Sequence, residues 1–406
     1  MIHDVNQTMP FSFTSPEFMQ NPYPFYDMLR SQHPLHWGTL FKYPGWYVTG
    51  YEEALTILKD TRFKNRIPLP ETSKKYEQLK NIQNNMLLFK NEPDHKRLRL
   101  LVSNVFTPRI VESYRPYIQK TVNDLLQQVQ NKKTMDVVSD FAFPLASLII
   151  AKILGIPQEE QYQFREWAAS LIPTIDFTRS RKALINGNIM IIVLQDYFKE
   201  LIKKCKRSPE EGLINQLINE EQQGDRLTDE EILATCILLV IAGHETTVNL
   251  ISNSILALLN HPRQLMELKG KPWLIESAVE EFLRYESPTQ MTARIASEDI
   301  EIKQTTIKKG DQIYILLGAA NRDPRKFKNA HLLDITRNPN HHLAFGYGAH
   351  FCLGAPLARL EAQLAIQTLL DRADNLKLAA PEPQWRKLIG FRALNELPIT
   401  FDRVGI

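Results

Sequence analysis

The stretch FGYGAHFCLG, residues 345–354, is the most informative part of this 406-residue chain. It places three glycines within ten residues, close to a single cysteine, Cys352. Glycine permits tight turns and lets the backbone approach a flat ligand closely. A helical pattern starts directly afterwards, at residues 356–358, and proline is well tolerated near a helix start. Because a helix N-terminus favours thiolate over thiol, Cys352 is a candidate thiolate, and a buried structural cysteine in a glycine-rich loop is the alternative.

A second polar feature lies inside a long apolar stretch upstream of the cysteine. Thr228 and Glu231 have the spacing of a capping box, which predicts a helix that ends near Asn260. At 1.5 Å per residue this helix would be roughly 45 Å long. Its middle carries the run AGHETT, residues 242–247, in which an acid stands beside an alcohol. Polar residues in a buried helix are costly unless they are satisfied or used, so this run is a candidate site.

Both runs resemble signatures of the cytochrome P450 family. Residues 345–354 match the family's haem-binding pattern Phe-Gly-x-Gly-x-His-x-Cys-x-Gly at every fixed position. Residues 242–246 match the pattern Ala-Gly-x-acid-Thr of its oxygen-activating helix, and the resemblance extends from Asn21 to Ile399. It implies a mainly α fold with a smaller β-rich lobe, the cytochrome P450 fold, built as a single domain over residues 1–406.

The resemblance implies a role for each residue of the two runs. Cys352 would be the axial ligand of the iron of haem b, and no other cofactor is expected in the chain. Thr246 would hydrogen-bond the distal oxygen atom or a water beside it, while Glu245 would connect that place to bulk protons. Ala242 and Gly243 would leave room for dioxygen and substrate. Since acid and alcohol are both present, reductive activation of dioxygen is expected rather than direct use of peroxide.

A plainer interpretation of the same helix stays open. His244 and Glu245 would lie on a solvated helix face, and the hydroxyls of Thr246 and Thr247 would bond back to their own helix.

Two further sets of residues match family positions. The first set would bind the haem propionates and comprises His95, Arg99, Arg294 and His350. The second set would form a buried structural network and comprises Glu281, Arg284 and Arg337. The rigid donor fork of arginine suits carboxylates. The plainer alternative is a set of ordinary surface charges, each pair worth about 0.5 kcal/mol.

Within the family, the chain most resembles bacterial members that oxidise fatty acyl chains on acyl carrier protein in the route to biotin. The stretches that carry this likeness are residues 44–50, 141–147, 175–181 and 284–294. They imply repeated hydroxylation of adjacent carbons, carbon–carbon cleavage and a pimeloyl product. The substrate pocket would include Leu238, Ile241, Ala242 and Gln290.

Two other functions remain open at this point. The same machinery could hydroxylate a polyketide or macrolide. A haem-based sensor without turnover is the alternative from a different class, although the complete acid–alcohol pair argues against it.

Composition and charge narrow the compartment and the partners. A net charge of +3 gives no reason to expect nucleic acid. The three cysteines are far apart and odd in number, which favours a reducing compartment. Residues 1–20 lack the pattern of a signal peptide, and apolar runs such as 237–242 are shorter than the ~20 residues of a membrane span. We therefore expect a cytoplasmic protein without a membrane span.

The resemblance implies an electron donor, a ferredoxin or flavodoxin, and acyl carrier protein as a second partner. Lys96, Arg97 and Arg359 would share the protein face nearest the cysteine, where an acidic electron donor could dock. A merely solvated run of charges fits these three residues equally well.

Local patterns also predict where helices and strands begin and end. Prolines 144, 157, 173 and 209 should break the helical region. Residues 300–302 and 313–315 should pair as a hairpin around residues 309–311. Residues 324–354 should form a loop, and a helix should follow over residues 357–370.

Overall fold

The structure, a computed structural model, describes residues 12–39, 44–65, 74–209, 212–222, 224–380 and 382–405. The side chains of residues 158, 162–165 and 222 are outside this description. The absence of a signal peptide was predicted from residues 1–20, of which residues 1–11 lie outside the described residues.

Sixteen α-helices form over the described residues. In chain order they are α1 (Pro16–Gln20), α2 (Tyr23–Gln32), α3 (Tyr51–Lys59), α4 (Glu77–Asn85), α5 (Asp94–Ser103), α6 (Pro108–Ser113), α7 (Arg115–Val129), α8 (Phe143–Leu154), α9 (Gln161–Ile175), α10 (Arg181–Arg207), α11 (Leu213–Asn219), α12 (Asp229–Asn260), α13 (Pro262–Gly270), α14 (Ile275–Tyr285), α15 (Leu317–Ala320) and α16 (Ala355–Arg372).

Besides a few short 3-10 turns and one π-helix, the described residues also form twelve short strands. In chain order they are β1 (Leu35–Gly38), β2 (Gly45–Val48), β3 (Phe63–Lys64), β4 (Thr134–Asp136), β5 (Glu221–Gln222), β6 (Asp225–Arg226), β7 (Met291–Ala296), β8 (Ile300–Ile302), β9 (Thr305–Ile307), β10 (Gln312–Leu316), β11 (Lys377–Leu378) and β12 (Pro398–Thr400). One sheet has the order β1-β2-β10-β7-β3, a second has β11-β12-β4, and β5-β6 and β8-β9 are isolated pairs. The predicted mainly α fold with a smaller β-rich part is confirmed.

The described residues group into two compact units, each assembled from three chain segments. The first unit takes its residues from Met1–Ile67, Asn253–Cys352 and Pro381–Asn395 and holds the five-stranded sheet. The second takes them from Pro68–Ser252, Leu353–Ala380 and Glu396–Ile406 and holds most of the helices. That residues 1–406 act as one domain stays a prediction.

The sheet of the first unit buries an apolar face. Trp46 and Val48 of β2 and Ile313 and Ile315 of β10 belong to one buried cluster with Ile57 of α3. β10 runs parallel to β2 and antiparallel to β7, so it lies between them. This central position fixes β7, which carries Arg294.

Helix α12 begins as its capping box predicts. The Thr228 N–H donates to Glu231 Oε2 at 2.9 Å, and the Glu231 N–H donates to Thr228 Oγ1 at 3.2 Å. The helix then runs for 32 residues, or about 48 Å at 1.5 Å per residue.

Two predictions about local structure are wrong. β8 pairs with β9, residues 305–307, whereas β10 pairs with β7 and β2, so the predicted 300–302 to 313–315 hairpin does not form. The alternation of apolar and polar residues predicted both strands correctly, but it does not indicate which strand pairs with which. Two of the predicted proline breaks do not form. Pro144 is the second residue of α8, which continues directly from a π-helix over Val137–Ala142, and Pro173 lies inside α9, which ends at Ile175.

Two helical stretches, Val137–Leu154 and Asp229–Asn260, are long and apolar enough to cross a membrane by length and composition alone. Of their most apolar windows, 61% and 67% of the residues are buried inside the protein. Core helices of soluble proteins share this property, so the two stretches are weak evidence for a span.

Candidate functional site

The cysteine loop is held in shape by its own backbone. The Cys352 N–H donates to the Phe345 carbonyl at 2.9 Å. Gly346 and Gly348 have φ values of 70° and 73°, a region that side chains disfavour. A Cβ on Gly348 would also lie 2.6 Å from the Leu58 carbonyl oxygen. The loop therefore needs glycine there, and it leaves Cys352 exposed, which is unusual for cysteine.

Two of the predicted propionate ligands lie on either side of one asparagine. Arg294 Nη1 donates to Asn65 Oδ1 at 3.1 Å, and Asn65 Nδ2 is 3.3 Å from His350 Nδ1. Arg294 also donates to Thr292 Oγ1 at 3.2 Å and to the Ala293 carbonyl at 2.8 Å. Sequence reasoning missed Asn65, which follows the two-residue strand β3 and carries no motif.

Arg294 is a buried cation, with 5% of its surface exposed. Burial lowers the pKa of Arg294 to about 10. Among the described residues, its hydrogen-bond acceptors are neutral oxygens and it forms no ion pair with a carboxylate. A buried charge of this kind is costly without a counterion. A haem would supply both missing partners in this unit: its propionate is a carboxylate for Arg294, and its iron is a metal ion for the exposed thiol of Cys352.

The other two predicted propionate ligands lie on α5 in the second unit. His95 is 2% exposed and Arg99 is half-buried, and their spacing of four places them on one face of the helix.

Arg97, also on α5, does not offer the free charge that the predicted docking face requires. Its guanidinium binds Asp225 at 3.2 Å and also contacts Glu231. Lys96 is exposed. A docking face made of Lys96, Arg97 and Arg359 therefore loses one of its three cations to internal ion pairs.

One face of α12 is less buried than the rest of the helix. Leu238 and Thr246 are half-buried and Ala242 is exposed, at a spacing of four residues. Ile241, in contrast, is 2% exposed. It stands three residues after Leu238, so the two side chains are neighbours on the helix surface, and its predicted place in the substrate pocket stays a prediction.

Thr246 makes the backbone hydrogen bond of the plainer interpretation. Its Oγ1 donates to the Ala242 carbonyl at 2.9 Å. The oxygen keeps its lone pairs for an incoming donor on the less buried face.

His244 and Glu245 do not lie on a solvated face, so that alternative is wrong. His244 is 0% exposed and Glu245 is 4% exposed. His244 Nε2 lies 2.6 Å from Ser147 Oγ on α8, and Asn249 Nδ2 donates to Glu245 Oε1 at 3.3 Å. Glu245 is thus a buried acid directly beside Thr246 in the sequence.

Gly243 lies against α8. A Cβ on Gly243 would lie 2.3 Å from Ile150 Cδ1. Ile150 therefore fills the space on this side of Gly243, and the predicted room for dioxygen stays a prediction. Together with the His244–Ser147 contact, Ile150 fixes the rotation of α12 against α8.

We expect Gly243→Ala to lower the free energy of unfolding by about 1–2 kcal/mol, because overpacking costs more than the helix propensity of alanine returns. In an Ile150→Ala background the same change should be neutral or stabilising. Urea denaturation of the four proteins measures both effects. An equal cost in the two backgrounds would show that Ile150 is not the cause.

The predicted ionic network lies in the first unit and is fully buried. Glu281 and Arg284 are both 0% exposed and form a two-bond pair at 2.7 and 2.8 Å. Arg337 Nε and Asn340 Nδ2 both donate to Glu281 Oε2, at 3.0 and 3.1 Å. Arg284 also donates to the carbonyls of Asn321, Ala330 and Leu332. The surface alternative is wrong for this pair.

Gln290 is held by hydrogen bonds at both polar atoms of its side-chain amide, and its predicted place beside the substrate stays a prediction. It is 2% exposed, its Nε2 donates to the Ser287 carbonyl at 2.8 Å, and its Oε1 accepts from Tyr26 Oη at 3.1 Å. A Cβ on Gly318 would lie 2.2 Å from its Oε1. The amide is thus held between α2 and the start of α15.

Comparisons with known proteins agree with this geometry. The family model described as cytochrome P450 matches residues 7–269 and 273–387. The biotin biosynthesis cytochrome P450 of Bacillus subtilis (strain 168) is 62% identical over 395 residues, 97% of this chain and 100% of that protein. The polyketide biosynthesis cytochrome P450 PksS of the same strain is 39% identical over 95% of this chain and 97% of its own length.

A solved structure extends the comparison to three dimensions. It is P450BioI in complex with hexadec-9Z-enoic acid ligated acyl carrier protein, at 62% identity. The TM-score is 0.92, and the match covers 95% of this chain and 99% of that one.

Proposed function

Because this chain belongs to the cytochrome P450 family, we propose that it oxidises fatty acyl chains carried on acyl carrier protein, in the route to biotin. The proposed substrate rests on the 62% identity, over nearly the whole chain, to a biotin biosynthesis cytochrome P450. A solved structure of P450BioI, also 62% identical, is a complex with fatty-acid-ligated acyl carrier protein. Repeated hydroxylation of adjacent carbons and cleavage between them would yield a pimeloyl unit. A haem-based sensor without turnover does not fit, because the chain is a monooxygenase.

The cofactor is haem b. When bound, haem supplies the iron that binds dioxygen and accepts electrons from a redox partner. Cys352 would hold the iron through its thiolate, whose electron donation favours oxygen–oxygen cleavage. Arg294 and His350 of the first unit, and His95 and Arg99 of the second, would bind the propionates.

Proton delivery would use the acid and the alcohol of α12. Glu245, buried and bonded to Asn249, would pass a proton through its carboxyl group toward Thr246. Thr246 Oγ1 would accept a hydrogen bond there while it donates to the Ala242 carbonyl. This division of donor and acceptor holds the hydroxyl in one orientation.

Substrate would lie along the less buried face of α12. Leu238 is apolar and half-buried, and Ala242 is the exposed small residue one turn before Thr246. An acyl chain laid on this face would be desolvated by Leu238 and would reach the polar end of the face at Thr246.

The partners would be acyl carrier protein and an electron donor of the ferredoxin or flavodoxin type, and the compartment would be the cytoplasm. Hydroxylation of a polyketide is a second candidate, because a polyketide biosynthesis member is 39% identical over nearly the whole chain.

Substrate titration separates these candidates. We expect palmitoleoyl-acyl carrier protein to shift the absorption spectrum of the haem-loaded protein from low to high spin, at a lower concentration than the free fatty acid. Unloaded acyl carrier protein is the control. A shift with a macrolide but none with the acylated carrier would replace the proposed substrate by a polyketide.

A further inference from the structure

We infer that Asn65 is a positioning residue for the cofactor site. Its side-chain amide determines which of the two ring nitrogens of His350 carries the hydrogen. This inference rests on the proposed binding of the propionates by Arg294 and His350. Asn65 is 6% exposed and lies between the two, 3.1 Å from Arg294 Nη1 and 3.3 Å from His350 Nδ1.

The orientation of the Asn65 amide follows from the chemistry of its first neighbour. A guanidinium only donates, so the amide atom that faces Arg294 must be the oxygen. The amide nitrogen, which only donates, then faces His350. Because Arg294 cannot deprotonate in ordinary conditions, this orientation is not reversed by a change of hydrogen positions.

The tautomer of His350 follows from the orientation of the amide. A ring nitrogen that faces a donor must accept, so Nδ1 carries no hydrogen and Nε2 carries it. Nε2 is then the atom that can donate to a carboxylate. Asn65 thereby prepares two donors at once: the guanidinium of Arg294 and the Nε2–H of His350.

Histidines that bind metals are oriented in the same way, by a hydrogen bond at the ring nitrogen that does not bind. Thr292 offers a matched comparison. Its Oγ1 accepts from the same Nη1 of Arg294 at 3.2 Å, so Thr292→Val perturbs Arg294 without altering the atom that faces His350 Nδ1.

The tautomer is measured by ¹⁵N NMR of the holoprotein labelled with ¹⁵N-histidine, as its diamagnetic ferrous carbon monoxide complex. The chain has ten histidines, so the signals of His350 are identified by their loss in His350→Gln. We expect Nδ1 without hydrogen in the wild type and in Thr292→Val. In Asn65→Asp both carboxylate oxygens accept, so Nδ1 should carry a hydrogen. A hydrogen on Nδ1 in the wild type would overturn the inference.

Haem release gives the second readout, as transfer to excess apomyoglobin. We expect Asn65→Leu, which removes the amide contacts to Arg294 and His350, to release haem about tenfold faster than the wild type. If Arg294→Leu and His350→Gln accelerate release but Asn65→Leu does not, and Nδ1 is unchanged in Asn65→Asp, the inference alone fails. If none of these variants accelerates release, the proposed propionate site fails as well.

Discussion

Replacing Cys352 with serine is expected to lower monooxygenase turnover by about a thousandfold, on the order of 4 kcal/mol. Serine keeps the size of the side chain but replaces a soft, easily ionised sulfur by an alcohol that stays protonated. Electron donation to the iron, which favours oxygen–oxygen cleavage, is then lost. Product formation with a reductase system and the acylated carrier measures the effect.

The control is the same change at a thiol that is not on the loop. Cys205 lies in α10 and is buried, so Cys205→Ser should keep both the spectrum and the turnover. Turnover of Cys352→Ser close to that of Cys205→Ser would remove the cysteine from the mechanism.

Glu281→Gln is expected to cost about 3–5 kcal/mol of stability, because it leaves Arg284 buried without its counter-charge. Glu281 accepts from Arg284, Arg337 and Asn340 and also from the Asp334 N–H at 2.9 Å, so one carboxylate ties α14 to the segment around residues 334–340. That segment leads directly into the cysteine loop. We therefore expect protein that is largely free of haem and unfolds at lower temperature.

Glu280 provides the matched control, one residue earlier on α14. Its side chain is 27% exposed and faces His342 at 3.2 Å. Glu280→Gln should cost less than about 1 kcal/mol and retain haem. Equal haem content in the two variants, with equal unfolding midpoints, would contradict the structural role of the network.

The sequence predicted best where spacing alone carries the information. The capping box of α12 and the helix after the cysteine loop depend on contacts between residues a few positions apart, and both are present. The glycines of the loop were interpretable for the same reason, since a positive φ is a local property of the backbone.

Prediction failed where the deciding contact joins distant segments. Asn65 and His350 are 285 positions apart, and a single asparagine after a short strand has no periodicity that marks it. The hairpin was assigned wrongly because β10 takes its partners from residues 45–48 and 291–296.

The sequence also gives the type of a residue without showing which residues surround it in the fold. Gly243 is small as expected, but Ile150 of another helix occupies the space beside it. Gln290 was assigned to the substrate pocket, and nothing in the sequence indicates that Tyr26 and Ser287 hold its amide. Which side of a buried element is open depends on tertiary packing, which a single sequence does not report.

The central claim is that Cys352 holds a haem iron through a thiolate. The most direct measurement is the difference spectrum of the reduced wild-type protein with and without carbon monoxide. We expect the strongly red-shifted Soret band of a thiolate opposite carbon monoxide, and its loss in Cys352→Ser. A freshly folded, haem-loaded wild type that shows only the shorter-wavelength band of a histidine-ligated or neutral-thiol haem would contradict the account.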